Sequence, residues 1–418
     1  MKIEAIKKRI SDFRRREQPR LIRLKNYYGG VHAITAGAKE PGKPDHRLVN
    51  NFCKNITDST VGYFMGKPVT YSSQDGALLE AVRDLYAYND EEYVNSRLSR
   101  DLSVFGCAYE LLYYDGDHCI RFVPLDPTGV IPVYADTPDG ELLTVIRFLP
   151  EEAEDGEEVY TVEVYDEEFV WYYRYSVTTD GMEMTRKMPH YFGQVPINPY
   201  RNNTDATGDF EPVLSLVDAY NVLQSESVND FSLFADSYLA ISGMGGTDAS
   251  DLEALRRNRV LLLDEGGDAK WLTKTVNDTY VENLKDRIAK DIYRFSGSVD
   301  MSDGSLGGQD PSGVAMRFRL LNFENRVSVT ERHFKRGLQR RLELICAFWL
   351  LLGAAYDYRR VTVAFRRNLP ESPAEDASYL EKLAAIVSRK TLLEHVPFVE
   401  DVNGELERLK EENGHDGE

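Results

Sequence analysis

Two stretches of the chain carry residue types that could cradle a phosphate. Gly62-Tyr63-Phe64-Met65-Gly66-Lys67-Pro68 sets a lysine after its second glycine. It has one residue too few between the glycines, however, and Pro68 stands where a Ser or Thr would hold magnesium. A structural turn is the better reading. The second stretch, Gly304 to Gly313, is rich in glycine but lacks the lysine that a phosphate loop needs. Cys53, Cys107, Cys119 and Cys346 make no CxxC pair and no zinc spacing, which predicts free thiols in a reducing compartment. His118 beside Cys119 has no metal partners at ligand spacing and reads as a hairpin residue. Asp115-Gly116-Asp117 could coordinate a cation, but a type I′ hairpin turn explains it more simply. HExxH, GxSxG and EF-hand patterns are missing, and spacing assigns no acid–base pair. The residues therefore predict no catalytic site, no metal and no cofactor.

Elements read from periodicity and punctuation give an α+β chain. A basic helix runs from the N-terminus to about Tyr28, where Gly29-Gly30 stops it. A Pro/Gly-rich loop follows at 40–44, then helical spacing through Val49, Phe52, Ile56 and Thr60. From about Ser99 to Arg201 the pattern turns mainly to strands. Val162 to Tyr175 reads as one long β-branched and aromatic run, and the acidic stretch 151–158 as a solvated hairpin tip. After Asn202 the pattern becomes helical, with Asp209 as a plausible cap, Pro212 in the first turn, and Leu216, Tyr220, Leu223, Phe231 and Phe234 on related faces. A small strand–helix–strand module follows, at 238–242, 248–257 and 260–263. The capping box Thr279-x-x-Glu282 then opens a helix striped by Val281, Leu284, Ile288, Ile292 and Phe295. The Gly/Ser-rich segment 297–313 separates it from a long basic helix over about 314–350. That helix carries Phe323, Val327, Phe334, Leu338, Leu342, Ile345 and Trp349 along one side. A strand at 361–365 and a helical, acidic tail end the chain.

Composition narrows the function classes. Hydrophobic residues make up 42% of the 418, and there are 25 Tyr and 18 Phe, enough for a sizeable core. The formal net charge is -19, so the chain as a whole is no tight DNA binder, because phosphate neutralisation supplies most such affinity. Local DNA contact stays open. No Lys or Arg occurs between Arg201 and Arg256, which concentrates anionic charge there. No signal peptide is visible, and the apolar run 344–353 is too short to span a bilayer, so synthesis in the cytoplasm and no membrane partner are expected.

Five blocks stand in a telling order. They are Asn26-Tyr27-Tyr28-Gly29-Gly30; Asn50-Asn51-Phe52 leading to Val61 through Val69; Val104-Phe105-Gly106-Cys107-Ala108-Tyr109-Glu110; Gly193-Gln194-Val195-Pro196 through Asn202-Asn203 to Gly208-Asp209-Phe210-Glu211-Pro212; and Arg367-Asn368-Leu369-Pro370 followed by Ser388 through Leu392. Together they resemble the portal family of tailed bacteriophages, particularly siphophages infecting Gram-positive hosts. The resemblance implies a non-enzymatic, elongated subunit of a ring, usually of twelve, at one capsid vertex of the virion. Through it double-stranded DNA is packaged and ejected, weakly contacted in transit. Implied partners are the large terminase subunit, scaffolding and major capsid proteins, and a head-completion adaptor. By similarity the chain divides into a mixed α/β wing (1–207), a first stem helix (208–240), a clip (241–275), a second stem helix (276–296), a tunnel loop (297–312), a long helix with a return strand (313–365), and a short crown (366–418).

Three site expectations follow. Asp218, Glu226, Asp230, Asp278, Glu282 and Asp286 on the stem would repel phosphate so that DNA slides without sticking. Gly304, Ser305, Leu306, Gly307, Gly308 and Gln309 would form a mobile tunnel loop. Asp248, Asp251, Glu253, Arg256 and Arg257 would face the motor and adaptor from the clip. The basic helix 314–350 is expected to face acidic surface on a neighbouring copy rather than DNA. Rival readings are a smaller head–tail connector ring and a metal-dependent nucleic-acid enzyme.

Overall fold

A computed structural model describes residues 1–37, 44–117, 119–138, 140–152, 157–234, 238–242, 268–272, 278–300, 313–368, 381–382, 384, 386–394, 396, 399 and 402–415. Two compact units divide the chain, Met1–Arg367 and Asn368–Glu418.

The first unit begins with α1 (Ile3–Arg16) and α2 (Gln18–Tyr28). One continuous helix was expected here; Pro19 splits it, since proline is accepted in a first helical turn and not in an interior. Ile6 and Ile10 of α1 are buried, with Phe13 packed beside them. Next come α3 (Phe52–Met65), β1 (Thr70–Ser72), α4 (Gly76–Tyr88) and α5 (Glu91–Phe105). Asn51 and Asp75 cap α3 and α4 by accepting the N–H groups of Lys54 and Leu78, two of the orphan donors at any helix start.

The strands β2 (Cys107–Tyr114), β3 (Ile120–Leu125), β4 (Val130–Tyr134), β5 (Leu142–Glu151), β6 (Val159–Tyr165), β7 (Phe169–Ser176), β8 (Gly181–Pro189) and β9 (Ile197–Arg201) form two antiparallel sheets, in the orders β3-β2-β9 and β4-β5-β6-β7-β8. The run read as one strand from Val162 to Tyr175 is two. Asp166 breaks it by accepting the N–H groups of Glu168 and Phe169, which folds the chain back on itself. One face of the five-stranded sheet, with Ile146, Phe148, Val162 and Tyr173, packs on the apolar side of α1. That burial stabilises each large side chain by about 1.5–3 kcal/mol.

Beyond a 3₁₀ turn at Glu211–Val213 lie α6 (Leu214–Phe234), the antiparallel pair β10 (Tyr238–Ser242) and β11 (Asp268–Leu272), then α7 (Asp278–Ser296) and α8 (Gly313–Leu351). The helix expected at 248–257 and the strand expected at 260–263 lie outside the described residues. α7 opens at Asp278, so Thr279 is helical rather than the cap of a capping box. On α8, Phe323, Val327, Phe334, Leu338, Leu342 and Ile345 are buried along one side. Gly337 lets α8 reach the sheet, because a Cβ there would sit 2.2 Å from the Tyr200 ring. β12 (Thr362–Ala364) pairs with β1. The second unit contains α9 (Arg389–Glu394), whose start Ser388 caps through Thr391 N–H, and α10 (Val402–His415) packed against it.

Candidate functional site, a helix pair and its anchor

The candidates for small-molecule chemistry resolve into structure. Gly62 lies inside α3 and Gly66 ends it with φ of -73°, so no phosphate loop forms. The Asp115 carboxylate accepts the N–H groups of Asp117 and Cys119 and the Tyr88 hydroxyl. The turn is longer than a two-residue I′ turn, with Asp115 N–H bonded to Cys119 O and Gly116 outside the left-handed region. His118 lies outside the described residues. Burial pushes the Cys53 thiol up to about 12 and those of Cys107 and Cys346 up to about 11, far from thiolate reactivity. Among the described residues no three His, Cys, Asp or Glu side chains could hold a metal, and no helix is long and apolar enough to cross a membrane.

What the fold does build is a helix pair on a dense polar base. Val213 of the 3₁₀ turn, the first turn of α6 (Leu214, Val217) and the last turns of α7 (Ile288, Ile292, Tyr293) share one apolar cluster with α2, α3 and α5, so the two helices run antiparallel. Four of the blocks singled out in the sequence meet at or beside this base. Asp209 N–H donates to Ser103 O (2.7 Å) and Asn202 N–H to Gly106 O (2.9 Å). Gly106 has φ of +80° and no room for a Cβ against Ala206, while a Cβ on Gly208 would meet Val104 O at 2.4 Å. Both glycines are needed for that approach. Arg20 clamps Glu211 with two bonds of 2.7 Å and also donates to Ala206 O. Bidentate pairing of this kind fixes direction as well as distance. Tyr28 O accepts from Asn51 Nδ2.

A second device holds α6 along its length. The backbone N–H groups of Asn50, Leu48 and His46 donate to Asn221 Oδ1 (2.8 Å), Ser225 Oγ (2.9 Å) and Asn229 Oδ1 (2.7 Å). Every second residue of an extended segment thus meets every fourth residue of a helix. The match is geometric. Four helical residues rise about 6 Å, and two extended residues about 6.6 Å. Asn221 also bonds His32 Nδ1 (3.0 Å), whose ring stacks on Tyr27. Spacing alone could have flagged the triple Asn221, Ser225, Asn229; the reading of α6 by its apolar stripe passed over it.

The expected acids fall into different places. Asp218 is committed to α2, accepting from Tyr27 Oη (2.8 Å) and lying 3.7 Å from Arg23. Glu226 is exposed and Asp230 half-buried on α6, which carries no Lys or Arg. Glu282 and Asp286 are exposed on α7, but Glu282 pairs with Lys285, and Arg287, Lys290 and Arg294 share that helix. The anionic character thus belongs to α6. The Asp278 side chain, the residues Asp248, Asp251, Glu253, Arg256 and Arg257, and the segment holding Gly304, Ser305, Leu306, Gly307, Gly308 and Gln309 lie outside the described residues. Asp209 is no helix cap: it is buried with Arg326 (2.5 Å) and Asn202 (2.8 Å). The basic helix likewise turns cations inward. Arg341 is fully buried against Glu110 (2.6 Å) and Glu91 (3.5 Å), and Arg340 bonds Gln194 (3.1 Å). Arg341 is therefore committed inside the subunit, while Arg332 and Arg336 of the same helix stay exposed.

Residues 7–418 match the model of the phage portal protein family described as SPP1 Gp6-like. The chain is similar to the portal protein of Bacillus phage SPP1, 24% identical over 388 residues, which cover 88% of this chain and 76% of that protein. It is also similar to the portal protein of Clostridium phage phiCD119, 24% identical over 440 residues, covering 98% of this chain and 95% of that one. With the match spanning nearly every residue and the ordered blocks converging on one helix base, the chain belongs to the SPP1 Gp6-like phage portal protein family.

Proposed function

We propose that this portal subunit closes into a ring of twelve around double-stranded DNA at one capsid vertex, and that α6 and α7 are its channel wall. The observation that supports this most is the antiparallel helix pair, rooted at one end in a polar base and joined at the other through the β10–β11 pair. In this reading 1–207 is the wing, 208–240 and 276–296 are the stem, 241–275 the clip, 297–312 the tunnel loop, 313–365 the long helix and return strand, and 366–418 the crown. Glu226 and Asp230 keep the α6 side of the wall anionic, where passing phosphates find no Lys or Arg to hold them. Glycines 304, 307 and 308 let the tunnel loop change backbone conformation against the moving duplex. The clip docks the large terminase subunit and later the head-completion adaptor, and the wing meets scaffolding and major capsid proteins. Assembly takes place in the host cytoplasm, and the subunit does no catalysis of its own.

Negative-stain imaging of the purified full-length protein tests the reading directly. A ring with a central hole is the expected result, and a homogeneous population of monomers at micromolar concentration would refute it. In a packaging assay, Glu226→Lys with Asp230→Lys should slow DNA entry; an unchanged rate would remove the anionic-wall argument while leaving the ring.

A further inference from the structure

We infer that the outer face of α1 is a docking surface for the phosphate backbone of double-stranded DNA, separate from the channel wall. The chain carries -19 overall, yet its first sixteen residues include seven Lys or Arg against Glu4 and Asp12 alone. The structure sorts these cations. Lys7 turns to Glu4 (3.4 Å) and Asp180 (3.3 Å), and Arg14 to Glu158, on the side that meets the five-stranded sheet. Lys8, Arg9 and Arg16 stay exposed, as does Lys2 at the helix start, and none has an ion-pair partner among the described residues. Arg15 is also exposed, bonded to Asp12 one turn away.

Seven-residue spacing puts Lys2, Arg9 and Arg16 in one line and Lys8 and Arg15 in a second about 100° round the helix, with Asp12 between them bonded to Arg15. The first line extends about 21 Å at the helical rise. The helix beneath is held rigid by Ile6, Ile10 and Phe13 against the sheet, so the cations need little ordering when a ligand arrives. Exposed large apolar side chains occur only at the start of this face, Met1 and Ile3, with none from Glu4 to Arg16. The buried centre of a protein–protein interface is apolar and poor in Lys, whereas phosphate contacts need only cations and donors. That contrast favours DNA over an acidic protein or an acidic patch on a second copy.

The test is binding of a short mixed-sequence duplex by the full-length protein, read by fluorescence anisotropy across salt. Four phosphates neutralised by one copy predict weakening by about 150-fold between about 50 and about 200 mM salt, and more when several copies engage. The fourfold variant Lys2→Gln, Lys8→Gln, Arg9→Gln, Arg16→Gln should lose most of the affinity and flatten the salt dependence. Its circular dichroism melt and its assembly state should stay as in the parent. The variant Arg332→Gln, Arg336→Gln, which removes exposed cations of α8, should bind as the parent does. No duplex binding by the parent at low salt overturns the proposal. So does an unchanged salt slope in the fourfold variant, or a loss confined to the α8 variant. If the fourfold variant fails to assemble while its assembled fraction binds DNA normally, the surface belongs to a neighbouring copy and the proposal falls. The ring seen or not seen by imaging is independent of all these outcomes.

Discussion

Replacing Asn221 with Ala tests whether the polar ladder, rather than apolar packing alone, holds the 46–50 segment on α6. Asn221 is fully buried. Its removal leaves the Asn50 N–H without its 2.8 Å acceptor and His32 Nδ1 without its 3.0 Å donor. A buried polar group left unpaired costs about 1–3 kcal/mol, so the two together predict a loss of about 2–6 kcal/mol. Native-state hydrogen exchange with mass spectrometry reads this locally, on a peptide spanning residues 46 to 52. Tenfold in protection corresponds to about 1.4 kcal/mol, so protection of the Leu48 and Asn50 amides should fall by at least about 30-fold and by up to about 20,000-fold. Asn221→Asp keeps the acceptor for Asn50 and loses only the donor to His32, and should fall between the two. Ser215→Ala, on the exposed side of the same helix, should change nothing. If Asn221→Ala leaves those two amides as protected as before, the ladder carries no energy and the anchoring argument is wrong.

Arg341→Met should destabilise the first unit by about 3–5 kcal/mol in urea unfolding, because it strands the buried Glu110 and Glu91 carboxylates without a cation; a loss under about 1 kcal/mol would contradict this, and adding Glu110→Gln should recover part of it. His32 should make stability fall on the acid side. Burial holds its pKa below the ordinary value, against the nearby Asp218, and the fold uses the neutral ring, with Nε2 donating to Tyr27 O and Nδ1 accepting from Asn221. The unfolded chain takes up a proton below about pH 6.5. The contribution is therefore complete above that pH and declines below it, by at most about 1.4 kcal/mol per pH unit. The difference in urea midpoint between the parent and His32→Gln, followed from pH 7 to 5, should show this slope; parallel curves would rule it out.

The sequence carried local information well and partnerships poorly. The stripe Phe323, Val327, Phe334, Leu338, Leu342, Ile345 could be read because helical periodicity is written within a few turns, and it is buried as spaced. Asp209 looked like a cap because its neighbours Phe210 to Pro212 open a helix. Arg326, more than a hundred residues later, claims its carboxylate instead. Asp218 looked like a free wall acid for want of any cation nearby in sequence, yet Tyr27 and Arg23 reach it from α2. The ladder was missed for the opposite reason. Asn and Ser at fourfold spacing on a helix usually mark a solvated side, and only the extended 46–50 segment laid along them turns them into acceptors.

The Arg341 cluster bears on the order in which the molecule can be finished during translation. Glu91 and Glu110 leave the ribosome more than two hundred residues before the guanidinium that neutralises them. Until α8 emerges, the β2–β9 surface it covers has no lid and its two acids no counterion. Everything encoded between, including α6, β10, β11 and α7, is threaded out as an excursion from an unsealed body. A nascent chain halted before residue 341 should therefore remain protease-sensitive across β2 and β9, and become resistant in one step once that arginine is free of the exit tunnel.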